Sequence, residues 1–204
     1  MINILARASI CRFVDPVGGW LFRAGVTPDA ITVVGAVGTV ASALWFFPRG
    51  QLVAGSVAVT VFVLLDMLDG AVARARGSGT AWGIVLDATC DRVADGALFA
   101  GLTWWCFVVV GDRLLAVAAL VCLVSAQVVS YVKARAAASG LCADGGMVER
   151  AERYIITLVG AFLAGLGVPF ALDVALWLLA GLQVVTVTQR MLAVRRGAGD
   201  PAAG

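Results

Sequence analysis

No histidine occurs among the 204 residues. Acid–base work therefore falls to carboxylates, lysine, tyrosine or metal-bound water, and imidazole-based triads and zinc hydrolases are excluded. Charge is scarce as well: 14% of residues are Asp, Glu, Lys or Arg, and the net charge of +2 argues against a nucleic-acid partner. The five cysteines, Cys11, Cys90, Cys106, Cys122 and Cys142, form no C-x-x-C pair and read as small packing residues in a reducing or lipid setting. The start lacks the uninterrupted apolar core of about 7 to 15 residues that a cleaved signal peptide carries.

What fills the chain is apolar residues, 61% of it. That composition describes an all-α, polytopic membrane protein in one domain. Residues 1–24 interleave apolar side chains with Arg7, Arg12, Asp15 and Arg23 and read as an amphipathic interfacial helix kinked at Pro16. A six-helix domain over 25–196 follows. Its first helix starts at Thr27-Pro28-Asp29, with proline suited to the first turn, and runs to about Phe47. Five more are expected at 51–74, 81–110, 113–138, 149–167 and 170–195, each containing or approaching the roughly 20 apolar residues that cross a bilayer. The tail, 197–204, reads as disordered.

Six crossings put every basic residue except Arg49 and Arg113 on or near one side, which the positive-inside rule makes cytoplasmic. Trp45, Trp104 and Trp105 then form an outer aromatic belt, and Trp20 and Trp82 an inner one.

Residues 66–91, DMLDGAVARARGSGTAWGIVLDATCD, set four carboxylates inside two apolar segments. A charge at the centre of a membrane helix costs about 2.5 to 3.5 kcal/mol. Asp66 and Asp69 are three apart, and Asp87 and Asp91 four apart, so each pair projects from one helix face. Crowded carboxylates stay ionised only beside cations, and hard oxygen ligands select Mg²⁺, Mn²⁺ or Ca²⁺. Two divalent ions balance four such charges. Gly70, Ala73 and Gly83 keep the same faces small, so that helices or a ligand approach closely. Arg74 is placed either to meet a phosphate or to anchor at the interface, and Thr80 is a helix cap before Ala81.

The pattern Asp66-x2-Asp69-Gly70-x2-Ala73-Arg74-x8-Gly83-x3-Asp87-x3-Asp91 resembles the signature of the CDP-alcohol phosphotransferase family at all eight fixed positions. The likeness runs from about Thr27 to Arg190, and flanks such as SYVKARA and GGMVERAER are most similar to the bacterial branch that makes phosphatidylinositol phosphate. The resemblance implies a homodimeric cell-membrane enzyme. It implies transfer of the phosphatidyl group from CDP-diacylglycerol to 1D-myo-inositol 3-phosphate (inositol 1-phosphate), releasing CMP. It implies that Asp66 and Asp87 bridge two Mg²⁺ ions, with Mn²⁺ as the alternative, that Asp69 binds one, and that Asp91 binds metal and takes the acceptor's proton. Asp29, Ala30, Ile31 and Thr32 would touch the cytidine, and Gly70, Arg74 and Thr80 the nucleotide and diphosphate. Without the resemblance, Asp29 also reads as a favourable charge at a helix N-terminus.

A second constellation is basic: Lys133, Arg135, Arg150, Arg153 and Arg190 share the cytoplasmic side with the aspartates, and Lys133, Arg150, Arg153 and Arg190 are the candidates for the acceptor. Arginines beside a metal site suit bidentate phosphate binding, which points to an acceptor that carries phosphate. Asp95 continues the Asp87, Asp91 stripe but lies outside the motif, and pairing with Arg92 or with a neighbouring helix is its expected use. Two other functions compete: the same chemistry on glycerol 3-phosphate, and a divalent-cation carrier, against which stands the lack of any visible internal repeat.

Overall fold

The computed structural model describes residues 16, 19–21, 23–76, 79–143 and 145–198. Most of the expected interfacial helix at 1–24, Gly77 and Ser78, and the last six residues of the expected tail lie outside them. The described residues form helices and no strand: α1 (Pro28–Phe46), α2 (Leu52–Arg76), α3 (Ala81–Trp104), α4 (Arg113–Ala138), α5 (Arg150–Gly165) and α6 (Ala171–Ala198).

Local chemistry sets the helix ends. The backbone N–H of Ala30 donates to Thr27 Oγ1 (3.3 Å), which caps α1 ahead of Pro28 and places Asp29 in the first turn. A short 3₁₀ turn, Phe47–Arg49, closes α1, and Arg49 donates to the Trp45 carbonyl (2.7 Å) while lying 3.7 Å from the Trp45 ring centre. Thr80 caps α3 by accepting from Gly83 N–H (2.9 Å), and Asp112 caps α4 by accepting from Leu115 N–H (2.9 Å). Helix α5 begins with a capping box in which Glu149 N–H donates to Glu152 Oε2 (3.1 Å).

Three departures from the expected spans are instructive. The apolar run at 81–110 is interrupted: its last six residues, Trp105–Val110, wind as a π turn before Gly111 at φ 79°. Helix α5 has 16 residues, about 24 Å at 1.5 Å per residue, and among the described residues the other five helical segments meet the length and composition for a bilayer crossing. Helix α6 continues through Gly197 to Ala198, two residues into the stretch read as a tail.

The chain divides into two compact units. The first joins the described residues up to Ser42 to Ala58–Ala94. Here α1 lies against α2 so closely that a Cβ on Gly38 would sit 2.1 Å from the Phe62 ring and one on Gly35 would sit 3.0 Å from Asp66 Cβ. The second joins Ala43–Val57 to residues from Asp95 onward. Its core is α4 packed on α6 and α5 packed on α6, with Leu172, Leu176 and Leu179 almost wholly buried and Cys122 Sγ 3.4 Å from the Leu176 carbonyl. Cys106 and Cys122 are fully buried, as packing residues should be, whereas Cys142 is exposed.

Many large apolar side chains face outward, including Ile84, Leu114, Val174 and Trp177, far more than a water-soluble surface tolerates. Trp20, Trp45, Trp82 and Trp104 are all more than half exposed, in keeping with an anchoring use. The chain is a multi-pass membrane protein.

Candidate active site

Three helices of the first unit converge on the acidic motif. Asp66 and Asp69 come from α2, one turn apart, and Asp87 from α3; one oxygen from each lies within 4.8 Å of the others. Asp91, one turn further along α3, is not part of that trio and lies 3.8 Å from Arg92 Nη2. Three negative oxygens at this spacing repel by at least about 3 kcal/mol per pair at an effective dielectric of about 20. A doubly charged cation reverses the sign of that sum, and an all-oxygen donor set suits a hard one.

The surroundings hold the trio in place. Asp66 is buried, and Gly35 of α1 passes so close that a methyl group there would meet its carboxylate oxygen at 3.2 Å. Asp69 accepts from Thr32 Oγ1 of α1 (2.6 Å) and from the N–H of Gly70. Both oxygens of Asp69 are thereby oriented, the usual way in which an outer layer of hydrogen bonds fixes a metal-binding carboxylate.

A cavity of about 210 Å³ opens beside these acids, lined by residues of α1, α2 and the start of α3 that include Asp29, Thr32, Asp69, Gly70, Thr80 and Asp87. Gly83 has to be small here: a Cβ would lie 3.2 Å from Thr80 Oγ1 and 3.5 Å from Asp29 Oδ1. Of the residues expected to hold the nucleotide, Asp29, Thr32, Gly70 and Thr80 line this cavity. Ala30 and Ile31 do not, Ile31 being packed in the interior, and Arg74 does not, its Nη1 lying back over Gly70. Pro28, Gly79 and Ile84 line it without having been singled out. Pro28 had a sequence signal only as the start of α1. A second recess of about 330 Å³ between α1 and α3 is almost purely apolar, with Val33, Val37, Val40 and Val93 on its walls.

The basic residues fall in the second unit. Arg150 and Arg153 meet Asp95 at 3.8 and 3.1 Å, so Asp95 pairs with a neighbouring helix. Arg190 is buried, donates to the carbonyls of Val129 (2.8 Å) and Gly145 (3.0 Å), and lies 4.0 Å from Glu149. Lys133 is exposed on α4 and joins none of these contacts.

A bundle of apolar helices with three carboxylates gathered beside a small cavity marks a membrane enzyme, and residues 25–188 match the CDP-alcohol phosphatidyltransferase family, to which this chain belongs. The particular likeness is narrower than the family. The chain is 54% identical over 200 residues, 98% of its length and 91% of the relative's, to phosphatidylinositol phosphate synthase of Mycobacteroides abscessus. It is 53% identical to the synthase of Mycobacterium marinum over 193 residues, 93% of this chain and 82% of that one. Among solved structures it resembles Mycobacterium tuberculosis phosphatidylinositol phosphate synthase with CDP-DAG bound, at a TM-score of 0.87 and 51% identity, covering 94% of this chain and 96% of that one. The same enzyme in complex with manganese and citrate also gives a TM-score of 0.87 at 51% identity, over 93% and 91% of the two chains.

Proposed function

We propose that this protein transfers the phosphatidyl group of CDP-diacylglycerol to inositol phosphate, forming phosphatidylinositol phosphate and CMP. The observation that carries the reading is the trio Asp66, Asp69 and Asp87 opening onto the cavity lined by Asp29, Thr32 and Thr80. A relative at 51% identity holding CDP-DAG, and the names of the curated relatives, support the same donor and acceptor.

Asp66, Asp69 and Asp87 hold the divalent metal, with Asp91 completing the set for two ions, and Mg²⁺ is the expected occupant. When bound, the metal neutralises the diphosphate and acidifies a hydroxyl near it. Gly70 and Gly83 leave room for the nucleotide, Thr80 donates to the diphosphate, and Asp29 and Thr32 contact the cytidine. Ala30 and Ile31 support that contact through the backbone turn they share with it, and Arg74 serves the diphosphate. The apolar recess between α1 and α3 suits hydrocarbon from the donor's tails.

Asp91 accepts the proton of the attacking inositol hydroxyl. The new bond forms between that oxygen and the phosphorus attached to diacylglycerol, and the bond from that phosphorus to the bridging oxygen breaks, so that CMP carries the electron pair away. An aspartate near its ordinary pKa of about 3.9 is a weak base, which is why the hydroxyl has to be acidified first. Lys133, Arg150, Arg153 and Arg190 supply the positive field for the acceptor's phosphate.

We further propose six membrane crossings with the active site on the cytoplasmic side, supported by the distribution of basic residues, and a homodimer, supported by the family resemblance. The test of function is CMP release by purified protein given CDP-diacylglycerol, Mg²⁺ and inositol phosphate. Asp91→Asn should lower the rate at least about 100-fold, the scale of losing a general base, while leaving the helical fold intact. An active Asp91→Asn removes the base assignment.

A further inference from the structure

The turn from α5 to α6, residues 166–170, reads Leu-Gly-Val-Pro-Phe, and all of it is exposed. Phe170, at 75%, is the most exposed large apolar side chain among the described residues. It is also the one non-glycine residue among them with a positive φ, 58°. A residue with a Cβ is disfavoured in that left-handed region, and a bulky one most of all. An aromatic ring held outward at a backbone cost points to a contact beyond the chain itself.

Charge says what that contact is. Residues 154–172 hold no charged side chain. The other two turns at this end of the second unit do: Arg49 lies in one, and Asp112 and Arg113 follow Gly111 in the other. Packing places the three turns together, since a Cβ on Gly165 would lie 2.7 Å from Val53 Cγ2 and one on Gly50 would lie 3.6 Å from Trp105 Nε1. The exposed apolar rows of α5 (Ile155, Val159, Leu163) and of early α6 (Val174, Trp177, Leu178) run into the turn without a break, so it continues the lipid-facing surface.

The backbone agrees. Hydrocarbon admits only chain whose polar groups are already paired. The N–H groups of Leu166, Gly167 and Val168 donate to the carbonyls of Phe162, Ala164 and Leu163, each at 3.0 Å, with Gly167 at φ 89°. Pro169 has no N–H, and the Phe170 carbonyl accepts from Val174 N–H (2.9 Å). Helix α5, with 16 residues, is about 24 Å long against a hydrocarbon layer of about 30 Å. A turn with no charge to hydrate lets so short a helix end inside that layer.

We propose that the α5–α6 turn is a lipid-inserted wedge: Leu166, Val168 and Phe170 lie among acyl chains just beneath the headgroups, while the turns at Arg49 and at Asp112 stand in water. The partner is the bilayer leaflet at the end of α5 remote from Arg150. The inference needs only that the chain is a membrane protein and is independent of the reaction assigned above.

The test is site-directed spin labelling of full-length protein in phosphatidylcholine–phosphatidylglycerol vesicles, with every cysteine except the buried Cys106 and Cys122 replaced by serine. A nitroxide is attached at Leu166→Cys, at Val168→Cys and, for reference, at Arg113→Cys. Labels at 166 and 168 should collide freely with dissolved oxygen and at least about fivefold less often than the label at 113 with a water-soluble nickel chelate, as for side chains buried about 5 to 10 Å into the interface. Nickel access equal to that at 113 puts the turn in water and overturns the proposal. Exclusion of both reagents shows that protein, such as a second copy of the chain, covers the turn, and overturns it too. A second measurement needs no substitution: a phospholipid with a diazirine near the headgroup end of its acyl chain should crosslink to Leu166–Phe170 of the wild-type chain and not to the turns at Arg49 and Asp112. Crosslinks confined to those two turns overturn the proposal.

Discussion

Gly35→Ala places a single methyl group where the structure has almost no room. The new Cβ would lie 3.0 Å from Asp66 Cβ, 3.1 Å from its Cα and 3.2 Å from Oδ1, against an ordinary carbon–carbon contact of about 3.5 to 4.0 Å. Either α1 and α2 separate or Asp66 moves, in both cases by roughly half an ångström, which is about the tolerance of a functional constellation. Misplacement of about 1 Å can cost about 100-fold in rate, so a loss of roughly tenfold in CMP release is expected, with the divalent-cation midpoint raised by a similar factor. Stability should change little. Alanine is favoured over glycine inside a helix by about 1 kcal/mol, while overpacking costs about 1 to 3 kcal/mol, and the two largely offset. The assay is a Mg²⁺ titration of CMP release alongside a thermal melt. Wild-type rate and an unchanged midpoint in Gly35→Ala would show that the position of Asp66 does not limit the reaction, and the metal-site account would fail at its best-packed residue.

Three other outcomes follow from the same geometry. Thr32→Val removes the hydroxyl that donates to Asp69, a bond to a charged group of about 1.5 to 3 kcal/mol, so the Mg²⁺ midpoint should rise at least about tenfold with circular dichroism unchanged. Chelation with EDTA should abolish CMP release, and readdition of Mg²⁺ or Mn²⁺ should restore it, since the trio offers only oxygen donors. Gly160→Val should lower the melting temperature by the equivalent of about 1 to 3 kcal/mol, because even a Cβ at Gly160 would sit 2.4 Å from Ala175 Cβ and force α5 from α6, while the metal midpoint stays put.

The helices were legible because their determinants are local. Long apolar runs and the Thr27 and Thr80 caps act within a few residues, and the observed bounds fall close to those expected. The aspartates were legible for a different reason: costly charges at helical spacing in apolar segments stand out from their background. What stayed hidden depends on chain segments far apart in sequence. Asp95 has Arg92 on its own helix three residues away, so spacing offered that partner, whereas Arg150 and Arg153 lie more than fifty residues on. The burial of Arg153 and Arg190 is likewise set by tertiary packing and has no mark in their own stretches of sequence. The π turn at Trp105–Val110 and the early end of α5 likewise have no mark in hydropathy, because both lie within apolar sequence.

The most direct test of the central claim is to identify the lipid product by mass spectrometry when purified protein, CDP-diacylglycerol and Mg²⁺ meet equimolar inositol 1-phosphate, free inositol, glycerol 3-phosphate and serine. The account predicts phosphatidylinositol phosphate as the dominant product, formed with stoichiometric CMP and lost on chelation. Phosphatidylglycerol phosphate as the dominant product would contradict the acceptor assignment, and metal transport without CMP release would contradict the enzyme itself.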